Sequence, residues 1–139
     1  MSAASHLNDK QLEAMKYTQG PLLVLAGAGS GKTSVITQKI AFLVKQCRIP
    51  AHRITAMTFT NKAAKEMEQR IKELTGKKLQ NLTVSTFHAF GVKILRQEIT
   101  ALGWRENFSI YDETDRNALI KETGRELKYS PEALDLYKI

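Results

Sequence analysis

A chain of 139 residues, 42% hydrophobic and 25% charged, has the size and composition of one ordinary globular domain. No apolar run approaches the ~20 residues that span a bilayer, Met1 to Leu7 lacks the basic start and apolar stretch of a signal peptide, and Cys47 is the single cysteine; a membrane role finds no support, an internal disulfide is excluded, and a cytoplasmic, reducing compartment is expected. The net charge of +7 is uneven: residues 1–105 hold sixteen basic and six acidic side chains, residues 106–139 five and eight, and between Glu13 and Glu66 there are eight Lys or Arg and no acid, so the first part looks built to face polyanions.

In chain order, Asn8 followed by Gln11 reads as a capping box opening a short helix, with Leu12 and Met15 on its buried side and Gly20-Pro21 ending it. Leu22-Leu23-Val24-Leu25-Ala26 is a continuous apolar run, the pattern of a strand buried on both faces. A glycine-rich turn follows, then a helix with Ile36, Ile40, Leu43, Val44 and Cys47 at helical spacing. Ile54 to Phe59 reads as a second strand; Asn61 caps a helix carrying Ala64, Met67, Ile71 and Leu74, which Gly76 stops. Leu82 to Thr86 is a third strand, leading into a helix with Phe87, Ile94, Leu95, Ile99 and Leu102 on one face and Gly103 past its end. Three β-α units in succession predict an α/β fold, a parallel sheet covered by helices, with active groups at the carboxyl ends of the strands. After Trp104 come the short run Phe108-Ser109-Ile110-Tyr111, Asp112 capping an acidic helix to Leu127, and Ser130-Pro131 opening a helix that Ile139 cuts short, so the chain reads as a fragment or a partly ordered protein.

Ala26-Gly27-Ala28-Gly29-Ser30-Gly31-Lys32-Thr33 fits the phosphate-loop pattern G-x-x-x-x-G-K-[ST], with Ala26 in the first glycine position. Small residues let backbone N–H groups turn inward toward phosphate oxygens, and the helix start adds its positive end. A lysine in that first turn is disfavoured by the helix dipole by about 0.3–1 kcal/mol unless an anion is present. Lys32 is therefore read as a ligand of the β- and γ-phosphates and Thr33 as a hydroxyl ligand of Mg²⁺. Kinases, transporters, recombinases and helicases share this loop, which by itself leaves the reaction open.

Three further segments resemble the Rep, UvrD and PcrA group of superfamily 1 DNA helicases, over nearly the whole chain. Leu7-Asn8-Asp9-Lys10-Gln11 is similar to the family's Q motif, which implies that Gln11 reads the adenine edge of ATP while it also closes the capping box. Thr58-Phe59-Thr60-Asn61-Lys62-Ala63-Ala64 is similar to motif Ia, which in that family lies along single-stranded DNA; taken alone, a phenylalanine such as Phe59 is more often a core residue. Ser85-Thr86-Phe87-His88 resembles the next DNA-contacting motif. Val35 to Ala41 and Asn107 to Asp115 look most like the Rep branch, and Ser34 stands where relatives often carry an arginine beside the adenine.

The resemblance implies a RecA-like P-loop motor domain over residues 1–107 and the start of an inserted helical subdomain over 108–139. It further implies ATP with Mg²⁺, single-stranded DNA, movement from three-prime to five-prime, and replication or repair proteins as partners. Hydrolysis also needs an Asp-Glu pair and arginines at the γ-phosphate. Asp112-Glu113 is the only tempting pair, but Asp112 is already explained as a helix cap, so half a site and no turnover are expected. The alternative is a stand-alone P-loop binding module or kinase.

Overall fold

A computed structural model describes residues 7–129; the helix expected from Ser130-Pro131 lies outside them. The chain divides between Ile94 and Leu95 into two compact units, and a change of domain at residue 107 would fall within the second.

In the first unit, helix α1 (Asp9–Lys16) opens with the capping box: Asn8 accepts from the Gln11 N–H, and Gln11 Oε1 accepts from the Asn8 N–H. Helix α2 (Lys32–Lys45) follows the glycine loop, strand β1 is Thr55–Thr58, helix α3 Asn61–Thr75, strand β2 Thr83–Thr86, and helix α4 (Phe87–Glu98), of which the part to Ile94 belongs to this unit, begins directly from β2. The strands pair in parallel with Thr55 opposite Thr83 and Thr58 opposite Thr86, and α3 is the crossover between them. The apolar stripe of α3, Ala64, Met67 and Ile71, is buried; Met67 and Ile71 join Ile40 of α2 with Ile54 and Ala56 in one core, edged by Leu43, Val44, Leu79, Leu82 and Val84. Full burial of side chains this size contributes about 1.5–3 kcal/mol each, which fixes α2 and α3 against each other and α3 against the sheet. Gly76, at φ +76°, ends α3 in the left-handed conformation that glycine adopts without steric cost.

The result is a parallel sheet flanked by helices, as in P-loop folds, but several local readings change. Leu22–Ala26 takes no regular structure. Its exposures alternate, 46% and 49% for Leu22 and Val24 against 82% and 88% for Leu23 and Leu25. One side of this segment is half covered and the other open, and among the described residues β1 and β2 pair with each other and no ladder reaches it. The cap of α3 is Thr60, whose hydroxyl accepts from the Ala63 N–H, while Asn61 is the first helical residue. The first helix ends at Lys16, before Gly20-Pro21, with Met15 buried and Leu12 exposed; Cys47 lies past the end of α2 and is exposed. The apolar side of α4 is largely open, Phe87 being 61% exposed.

In the second unit, Arg96 donates to the Glu106 carbonyl at 2.7 Å and its guanidinium lies 4.3 Å from the centre of the Phe108 ring. Phe108 to Tyr111 forms no strand. Helix α5 (Glu113–Glu126) is capped by Asp112, which accepts from the Asp115 N–H at 2.8 Å while Asp115 accepts from the Asp112 N–H at 3.2 Å.

Candidate nucleotide site and nucleic-acid face

The glycine loop is held open by backbone geometry. Gly29 and Gly31 take φ of +74° and +79°, the Ser30 N–H reaches the Gly27 carbonyl at 3.4 Å, and Gly27 to Ser30 are exposed. Gly31 occupies the N-cap of α2 and, having no side chain, makes no cap hydrogen bond to the helix start. Lys32 Nζ folds back to donate to the carbonyls of Gly27 at 2.6 Å and Ala26 at 3.1 Å. An exposed ammonium on two neutral loop carbonyls, beside an uncapped helix start, is a donor set that suits a polyphosphate. Thr33 is exposed one residue further; Ser34 accepts from the Thr37 hydroxyl at its carbonyl.

α1 brings Gln11 to the same place. Gln11 Nε2 donates to the Ser30 carbonyl at 2.8 Å, and a Cβ on Gly31 would stand 3.1 Å from that nitrogen. The missing side chain at Gly31 therefore serves both the loop's turn and the approach of Gln11. Beside them lies a cavity of about 370 Å³, walled on its apolar side by Ala14, Val24, Leu25, Val35 and Ile36 and on its polar side by Asn8, Gln11, Ser30 and Lys32. Gln11, Ser30 and Lys32 are thus brought together around one space.

The two strand ends stand side by side. Because Thr58 pairs with Thr86, Phe59 and Phe87 leave neighbouring strands at the same level. Phe59 is 94% exposed, which removes the core reading of that side chain. Asn61, Lys62 and His88 are also exposed. The hydroxyls are engaged: Thr58 donates to the Thr60 carbonyl, Thr60 caps α3, and Thr86 accepts from the Ala89 N–H at 3.2 Å, so it caps α4 in the same way. Ser85 differs, its Oγ being buried with no hydrogen-bond partner.

Sequence reasoning missed the work of two lysines. Lys39 Nζ donates to the Ala14 carbonyl at 3.0 Å and to the Tyr17 carbonyl, and Lys45 Nζ to the Leu74 carbonyl at 3.2 Å. Two of the three lysines of α2 therefore sit on helix carboxyl ends, Lys39 on that of α1 and Lys45 on that of α3, where orphan carbonyls and the dipole favour them. Part of the acid-free basic stretch that read as a surface for polyanions is engaged with the chain's own carbonyls. The only sequence signal was the spacing of Lys32, Lys39 and Lys45, at about two turns each on one helix.

Residues 7–138 match the family described as the UvrD/REP helicase N-terminal domain. The chain is 52% identical over 117 residues to the ATP-dependent DNA helicase Rep of Escherichia coli (strain K12), covering 84% of this chain and 17% of that protein. It is likewise 52% identical over 117 residues to ATP-dependent DNA helicase Rep of Salmonella typhimurium (strain LT2), with the same coverage. To the ATP-dependent DNA helicase PcrA of Staphylococcus aureus (strain Mu50) it is 46% identical over 118 residues, 85% of this chain and 16% of that protein. The chain therefore spans about one sixth of the length of these relatives. With a glycine loop opening an uncapped helix and a parallel pair of strands ending in exposed aromatics, the chain belongs to the UvrD/REP helicase N-terminal domain family.

Proposed function

We propose that this chain is the phosphate-binding part of an ATP-dependent translocase and helicase that moves along single-stranded DNA from three-prime to five-prime. Residues 1–107 form the amino-terminal part of its RecA-like motor domain and 108–139 the start of an inserted helical subdomain. The observation that carries the reading is Lys32 resting on the Ala26 and Gly27 carbonyls at an uncapped helix start, poised to exchange two neutral acceptors for phosphate oxygens.

Gly27, Ala28, Gly29, Ser30 and Gly31 wrap the phosphates, Lys32 takes the β- and γ-oxygens, and Ser34 closes the site toward the base. Thr33 would hold Mg²⁺, which neutralises charge on the phosphates when bound. Gln11 has already committed Oε1 to the Asn8 N–H and one Nε2 proton to Ser30. One N–H and one lone pair remain. That pair complements the N7 acceptor and N6 donor of adenine, whereas guanine offers two acceptors, N7 and O6. The site therefore favours ATP over GTP.

Single-stranded DNA runs across the adjacent strand ends. Phe59 and Phe87 offer faces to bases, stacking being worth about 1–3 kcal/mol each, while Thr58, Thr60, Asn61, Lys62 and His88 border the backbone and Ser85 and Thr86, more deeply set, support that edge from beneath. Full exposure of Phe59 favours this reading over a kinase or switch protein, neither of which has use for an aromatic there. Replication or repair proteins in the cytoplasm complete the proposed setting. The Asp112 carboxylate is spent on capping α5, which supports a chain that binds nucleotide without turning it over.

Titration of the purified chain with labelled ATP and Mg²⁺ is expected to show binding, with phosphate release at the uncatalysed level whether or not single-stranded DNA is present. DNA-stimulated release that disappears in an Asp112→Asn, Glu113→Gln double variant would instead make the chain a small but complete ATPase.

A further inference from the structure

We propose that Lys39 is a positioning residue for base recognition: by holding the carboxyl-terminal end of α1, it sets where Gln11 meets the nucleotide. The inference rests on the reading of Gln11 as the side chain that recognises the base.

α1 has eight residues, too few for a helix to persist in water on its own propensity. Its placement must come from what grips it. Met15 is its buried side chain, and two long-range hydrogen-bonded clips hold its polar groups: Gln11 Nε2 to the Ser30 carbonyl at 2.8 Å, and Lys39 Nζ to the carbonyls of Ala14 and Tyr17. The first clip uses the recognising side chain itself, so it cannot also be the independent reference for that side chain. The second can.

Ala14 lies one helical turn beyond Gln11, so a shift at the Lys39 clip is transmitted directly through a rigid helix. Lys39 in turn stands seven residues after Lys32, two turns along α2, the helix that presents Lys32 to the phosphates. One helix therefore carries both the phosphate ligand and the anchor of the base reader, and fixes the distance between them. A cation suits the anchor because it meets orphan carbonyls at the negative end of α1.

The test is competition binding of ATP, GTP and tripolyphosphate to the 139-residue chain. In Lys39→Met, ATP affinity is expected to fall about fivefold, the scale of one lost hydrogen bond, so that the preference for ATP over GTP narrows, while tripolyphosphate binds as before. Lys39→Arg, which keeps a cation with several donors, restores the preference. In a Gln11→Ala background, Lys39→Met removes nothing further. An unchanged ATP-to-GTP ratio in Lys39→Met overturns the inference alone, as does an equal loss for all three ligands, which would mark Lys39 as a purely structural staple. Retention of the ATP preference in Gln11→Ala, or of tripolyphosphate binding in Lys32→Ala, would overturn the nucleotide-site reading and this inference with it.

Discussion

Helices α2 and α3 start in opposite ways. At the start of α3 the Thr60 hydroxyl accepts from the Ala63 N–H, and at α4 Thr86 does the same for Ala89. At α2 the N-cap is Gly31, which offers no side chain, and the residue after it is a lysine, the wrong charge for a helix start. A helix start closed by its own threonine has less to offer an anion. One left bare and given a cation is incomplete until a phosphate arrives. The two junctions differ in what they present: at the glycine loop the backbone and Lys32 are the working groups, whereas at the strand ends the exposed rings of Phe59 and Phe87 are.

The sharpest way to break this contrast is Lys32→Ala. Charge-assisted hydrogen bonds to phosphate are the strong class, and loss of this one is expected to lower ATP affinity by about a hundredfold. The melting temperature of the nucleotide-free chain should barely move, since Lys32 is exposed and its present partners are loop carbonyls. Equal ATP affinity in the variant would remove the bare-junction account.

Gly31→Ala should act on both stability and binding. A left-handed alanine costs about 1–2 kcal/mol, and its Cβ would stand 3.1 Å from Gln11 Nε2, pushing that side chain off Ser30. Denaturant unfolding should register the first effect and a narrower ATP-to-GTP preference the second; an intact preference would mean that Gln11 does not need the space.

The smallest effect belongs to Thr60→Ala, about 1 kcal/mol of stability for a lost cap, with ATP affinity untouched. A fall in ATP affinity comparable to that of Gly31→Ala would show that the two junctions are not independent.

The parallel pairing of β1 with β2 was legible from the succession of β-α units; the other features that could be read from the sequence alone have partners within a few residues. The Asn8–Gln11 box, the Asp112 cap, the apolar stripe of α3 and its Gly76 stop all appear as read, because each is decided inside a turn or two of helix. The glycine loop was legible for the same reason, its small residues and Lys32 being contiguous. The α3 cap was misplaced by one residue because Thr60 and Asn61 are both competent and adjacent. Tertiary structure decided the rest. Lys39 finds its carbonyls 25 and 22 residues away and Lys45 finds its own 29 away, so a composition count could register them only as surplus positive charge. Phe59 has the apolar character of a core residue and is exposed, because it follows β1 at an odd position while the core takes Ile54 and Ala56 at the even ones. Leu22 to Ala26 has the composition of a buried strand, yet a strand exists only where a neighbouring backbone completes its ladder, and that neighbour is not specified by the run itself.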